Sequence, residues 1–107
     1  MRVTLGDLNA IGPGKVALLE AVQEQRSISA AAKSLGMSYR RAWVLIDELN
    51  RALKSPAVTT AAGGSGGGGT MLTDVGHRIV VLYRGIEAQA EQSCKMEIGQ
   101  LLALVAR

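Results

Sequence analysis

Ser27-Ile28-Ser29-Ala30-Ala31-Ala32-Lys33-Ser34-Leu35-Gly36-Met37-Ser38-Tyr39-Arg40-Arg41-Ala42-Trp43 is the stretch on which the fold turns. Ser29 is a good N-cap for a short helix, Ala30 to Leu35, because a serine oxygen can accept an otherwise unpaired N–H of the first turn. Gly36 follows, where a helix commonly ends in the left-handed conformation that glycine adopts without penalty. Ser38 can cap a second helix. From there Ala42, Leu45, Ile46, Leu49 and Leu53 recur at i, i+3, i+4, i+7 and i+11, a helical stripe with one buried face. Pro56 stops it. Two helices joined by a tight turn need a small residue in the first, a glycine four positions later and apolar anchors in the second. Ala32, Gly36, Ala42 and Leu45 meet those requirements, which predicts a helix-turn-helix over residues 29–53.

A bland helical hairpin would show the same spacing, so charge has to separate the two. Arg26, Lys33, Arg40, Arg41, Arg51 and Lys54 stand against only Asp47 and Glu48 in this stretch, six cations to two anions. It therefore holds more than all of the chain's formal net charge of +3. By helical angle Arg40 lies opposite the apolar stripe, near the end of the helix that would enter a major groove. Arginine there can pair bidentately with guanine or grip a phosphate. Trp43 lies on a flank of that face with Tyr39 and is expected to pack against the wing or the first helix.

Working outward, Val3-Thr4-Leu5 reads as a short strand, and Lys15 to Gln25 as a first helix after Gly12-Pro13-Gly14. Beyond the helix-turn-helix, Val58-Thr59-Thr60-Ala61-Ala62 and Thr70-Met71-Leu72 read as the two strands of a β-ribbon, a wing over residues 58–72. Its tip is Gly63-Gly64-Ser65-Gly66-Gly67-Gly68-Gly69. An engineered flexible linker has the same composition, but strand-like segments flank this one on both sides. A P-loop would need Gly-Lys-Ser/Thr at its end, which is missing. A wing lying along DNA must bring its main chain near phosphates, and glycine leaves that approach open. From Asp74 the apolar residues again keep helical spacing over residues 74–106, with Gly85 and Gly99 weakening it enough to allow a bend or two helices. An unbroken helix of about 33 residues would span roughly 50 Å, too long for so small a domain to bury. Such a stripe usually finds a second copy of itself. Ile79, Leu82, Tyr83, Ile86, Ala90, Ile98, Leu101 and Leu102 are accordingly expected to form a dimer interface.

The 107 residues allow one domain, mainly α with a small β-wing, and no cleft between domains. Cys94 is the only cysteine and His77 the only histidine, which excludes a disulfide framework and a multi-ligand Cys/His metal site. Cys94 falls on the apolar stripe and is expected to be a small buried hydrophobe. No segment has the apolar core of a signal peptide or the length of a membrane span, so a soluble protein of the reducing cytoplasm is expected. His77 with Asp74, at i and i+3, is a pair that surface helices offer constantly. No Ser-His-Asp set or carboxylate pair has supporting context, and neither catalysis nor a cofactor is expected.

With Asp47-Glu48-Leu49-Asn50, the glycine tract and Leu72-Thr73-Asp74-Val75-Gly76, the opening stretch resembles the N-terminal domain of ModE-type molybdate-responsive regulators. The likeness covers roughly residues 10 to 90, and LysR-type regulators look like more distant relatives. The resemblance implies a winged-helix homodimer that binds operator DNA through the helix from Ser38 to Leu53. It also implies β-rich molybdate-binding modules after this domain, where this chain ends, so molybdate binding by these 107 residues is not expected. The residues expected to meet double-stranded DNA are Ser29, Lys33, Ser38, Tyr39, Arg40, Arg41, Val44 and Arg51, with Gly64, Ser65, Gly66 and Gly67 at the wing tip. The competing reading is a winged-helix interaction or assembly module without specific DNA binding. Arginine at the front of the second helix favours DNA.

Overall fold

The computed structural model describes residues 3–5, 8–60 and 69–106, the first ten by backbone alone. Two strands, β1 (Val3–Leu5) and β2 (Leu8–Ile11), pair antiparallel at the N-terminus; only the first was expected. Helix α1 (Pro13–Gln25) starts two residues earlier than the periodicity suggests, because Pro13 suits a first turn whose N–H groups have no partner. It ends at Arg26, whose N–H donates to the Val22 carbonyl at 2.7 Å.

Helix α2 (Ile28–Ser34) is capped by Ser27, not by Ser29. The Ser27 backbone is extended (φ −155°, ψ 134°), and its Oγ accepts from the Ala30 N–H at 3.1 Å. Helix formation therefore begins at Ile28, which packs against the core, and Ser29 becomes an exposed first-turn residue. Gly36 holds the turn at φ +69°. Ser38 then caps α3 (Tyr39–Ala52), its Oγ accepting from the Arg41 N–H at 3.1 Å. Ala31, Ala32 and Ala42 are fully or almost fully buried where the helices cross, and larger side chains would hold them apart. Leu18, Leu19, Leu49, Val16 and Val22 are the largest wholly buried side chains. Each contributes roughly 1.5–3 kcal/mol by leaving water.

The wing is β3 (Val58–Thr60) paired antiparallel with β4 (Thr70–Leu72), Val58 opposite Leu72 and Thr60 opposite Thr70. Its base is tied to α3 by one side chain. Asn50 Oδ1 accepts from the N–H groups of Ala57 (2.8 Å) and Val58 (3.3 Å), while Nδ2 donates to the Val58 carbonyl (3.1 Å). The glycine tract positions Gly64, Ser65, Gly66 and Gly67, with Ala61 and Ala62 of the expected first strand, lie outside the described residues.

Thr73 caps α4 (Asp74–Ser93), accepting from the Gly76 N–H at 3.1 Å while its hydroxyl donates to the Pro56 carbonyl at 2.7 Å. The Thr73 N–H donates to the Ala57 carbonyl at 2.9 Å. Gly76 is buried directly beneath that carbonyl, so that the main chains of α4 and of the segment before the wing touch. Of the alternatives that the spacing leaves open over 74–106, the structure has two helices: α4 ends at Cys94, and α5 (Lys95–Leu102) follows with no buried residue. Gly85 and Gly99 lie inside the two helices and break neither. Cys94 is exposed, correcting the expectation of burial.

Arg84 fastens α4 to α1. Its Nε and Nη2 donate to the two Glu20 oxygens at 3.1 and 2.7 Å, and Nη1 reaches Glu87 at 2.7 Å. These hydrogen bonds hold the Glu20 carboxyl below its ordinary value of 4.5 and push the Arg84 guanidinium up. A carboxyl whose pKa is lowered by folding stabilises the fold above its unfolded pKa and ceases to as pH falls through the folded one. Both partners are about 40% exposed, so the pair is worth under about 1 kcal/mol. Glu20→Gln should accordingly melt slightly below the unmodified chain at pH 7. The two melting curves should converge on acidification below about 4.5. Thermal melts between pH 3 and 7 check this, and a gap that widens in acid would contradict it.

Candidate nucleic-acid interface

Helix α3 turns its apolar stripe inward, with Ala42, Ile46 and Leu49 buried and Leu45 and Leu53 partly so. The opposite side of its first turns is left to solvent: Ser38, Tyr39, Arg40, Arg41 and Val44 are all exposed. Among the described residues Arg40 and Arg41 make no ion pair, although Lys15, Arg51 and Arg84 all do. Two unpaired guanidinium groups at the exposed front of a helix are free to meet an external anion. Ser29 and Lys33 are exposed on α2, the other arm of the helix-turn-helix.

Arg51 stands apart from this group. It lies about 16 Å along the axis from Arg40 at 1.5 Å per residue, and its guanidinium is bound to Asp47 at 2.9 Å. Trp43 is half-exposed between α2 and the wing, bordering a cleft of about 370 Å³ with Arg26, Ser27, Ile28, Ser29, Tyr39, Thr60, Gly69 and Thr70. In the sequence Arg26 stands out only as one of the six cations of the helix-turn-helix stretch. Its place beside Tyr39 and Trp43 depends on where α1 ends, which the helical period does not fix.

The C-terminal stripe is divided by its surroundings. Tyr83 is 3% exposed and Ile79 is partly buried against the core, so this chain already covers the first of them and part of the second. The helical period places them on one stripe with Leu82 and Ile86, but α4 rests on the core over its first turns and draws that edge inward. Leu82, Ile86, Ala90, Ile98, Leu101 and Leu102 are exposed. No helix among the described residues is long and apolar enough to cross a membrane.

Known proteins share this arrangement. The sequence is 43% identical over 84 residues to the molybdenum transport protein ModE of Azotobacter vinelandii, covering 78% of this chain and 31% of that protein. It is 45% identical over 78 residues to the molybdenum-pterin-binding protein MopB of Rhodobacter capsulatus, covering 73% and 29%. It is 38% identical over 101 residues to the transcriptional regulator ModE of Yersinia pestis, covering 89% and 38%. The resemblance to ModE-type regulators is borne out, and the chain matches about a third of the length of these relatives. Among solved structures, the CbnR_DBD-DNA complex superposes with a TM-score of 0.65 at 22% identity, covering 85% of this chain and 99% of that one. The BenM_DBD/benA site 1 DNA complex gives 0.61 at 18%, covering 90% and 100%. These likenesses show the winged-helix fold. The family described as bacterial regulatory helix-turn-helix protein, lysR family, matches residues 14–77, more than half of the sequence. With α2, the Gly36 turn and α3 at its centre, the chain belongs to that family.

Proposed function

We propose that this chain binds double-stranded operator DNA in a sequence-specific way and regulates transcription as a homodimer. The observation that carries this is Arg40 and Arg41, exposed and without an ion pair among the described residues, at the front of α3 and held by a helix-turn-helix. Arg40 and Val44 occupy one side of that front and would meet base edges. Ser38, Arg41, Ser29 and Lys33 surround it with groups that suit phosphates. Two superposed structures are DNA complexes of other winged-helix domains, which supports the same docking here. Duplexes selected from random sequence should bind with an affinity that falls steeply with salt, as phosphate contacts release counterions. Arg40→Ala should cost about 1–3 kcal/mol, roughly 5- to 150-fold in Kd, and relax preference at one base pair. An affinity for selected DNA that survives the double change of Arg40 and Arg41 to alanine would overturn the assignment.

Dimerisation rests on the exposed row Leu82, Ile86, Ala90, Ile98, Leu101 and Leu102, which one chain alone leaves in water. A two-fold axis through α4 and α5 would pair each row with its copy and set two α3 helices on half-sites about 34–36 Å apart. Sedimentation at tens of micromolar without DNA should show a dimer. A monomer there would contradict it.

A further inference from the structure

Arg26 is the one non-glycine residue with positive φ among the described residues (φ 58°, ψ 26°). That conformation, just past the end of a helix, is the one where glycine is ordinary and a Cβ is disfavoured. The turn itself uses only main-chain atoms. The Arg26 N–H donates to the Val22 carbonyl at 2.7 Å, and its carbonyl accepts from the Thr70 N–H at 3.1 Å, which seats β4 on the end of α1. Glycine would make both bonds without strain, so nothing in the turn calls for an arginine side chain. A non-glycine residue held in this region points to a demand from outside the fold.

The side chain has none inside it. Arg26 is exposed and takes part in no ion pair among the described residues, whereas Lys15, Arg51 and Arg84 each bind a carboxylate. It borders the cleft in which Tyr39 and Trp43 of α3 face Thr60 and Thr70 of the wing. We propose that Arg26 is a phosphate-gripping residue, binding the backbone of duplex DNA where the strand passes from the groove entered by α3 to the wing. The assignment rests on the DNA-binding reading above. A guanidinium is always charged and planar and can present two N–H donors to one phosphate, which suits a contact that fixes position without reading sequence.

Arg26→Gly tests it, because this change removes the side chain and relieves the backbone together. The variant should melt at the same temperature as the unmodified chain or higher. Its affinity should fall about five- to tenfold on selected and on scrambled duplexes alike, with the slope of log affinity against log salt shallower by about one. Unchanged affinity and slope beside normal binding by the unmodified chain would overturn the assignment to Arg26 alone. A loss confined to the selected sequence would also overturn it, since that marks a base reader. Failure of the unmodified chain to bind any duplex would overturn this assignment together with the DNA-binding reading.

Discussion

Gly76→Ala should lower the midpoint of thermal unfolding by about 10–20 °C, the largest effect expected of any single methyl group added to this chain. Helix propensity alone predicts the opposite, since alanine is favoured over glycine inside a helix by about 1 kcal/mol. At this position the added Cβ would collide with the Ala57 carbonyl oxygen and stand 3.2 Å from both the Ala57 carbonyl carbon and the Leu72 Cβ. Two of these three atoms are backbone and cannot swing aside. The Ala57 carbonyl moreover accepts from the Thr73 N–H, so yielding would cost the cap of α4 as well. Overpacking of this kind costs about 1–3 kcal/mol or more, which outweighs the propensity gain. Gly85, also inside α4, has open space where a Cβ would go. Gly85→Ala should therefore raise the midpoint by a few degrees. Differential scanning calorimetry of the two variants gives opposite signs if the close approach at Gly76 governs. A rise in both would show that the helices of this chain respond to propensity alone.

Asn50→Ala should cost about 2–4 kcal/mol in chemical denaturation, because it leaves two N–H groups and a carbonyl at the wing base without their partner. Asn50→Asp separates the donor from the acceptors. It keeps the two bonds accepted from Ala57 and Val58 but sets a carboxylate oxygen against the Val58 carbonyl. It should therefore fall between alanine and the unmodified chain at acidic pH, where the carboxyl can donate, and worsen as the pH rises. If the wing base is positioned by Asn50, DNA affinity at a temperature where Asn50→Ala remains folded should fall as well. A stability change within about 0.5 kcal/mol for Asn50→Ala would show that water substitutes for the side chain at no cost.

The parts of this fold that the sequence discloses are those written in local spacing. Gly36, the Ser38 cap and the stripe from Ala42 to Leu53 follow from interactions three or four residues apart, and each lies where the spacing puts it. The misplaced cap of α2 shows the limit. Ser27 and Ser29 are equally good acceptors for the N–H groups of a first turn, and the choice between them was made by Ile28 entering the core, a tertiary contact. The links made by Asn50 and Gly76 were present in the motifs Asp47-Glu48-Leu49-Asn50 and Leu72-Thr73-Asp74-Val75-Gly76 only as likeness. Their physical content appears when β3 folds back beside the end of α3. Tyr83 reads as one more residue of an exposed stripe until the folded chain is seen to bury it. Arg26 shows least of all, since its positive φ is a property of the turn and not of any spacing.

Ala57 receives more than its small side chain suggests. It is wholly buried, its N–H goes to Asn50 of α3, its carbonyl takes the N–H of Thr73, and the first turn of α4 rests on it through Gly76. No one of these elements can detach without exposing the others' main-chain groups. Local fluctuations that in many proteins release a hairpin by itself would here have to free the end of α3, the wing base and the start of α4 together. In amide exchange the N–H groups of Ala57 and Thr73, although neither is within a helix, should then be lost at rates close to those of the helical core. The angle between α3 and α4 is in that sense a property of one cooperative unit.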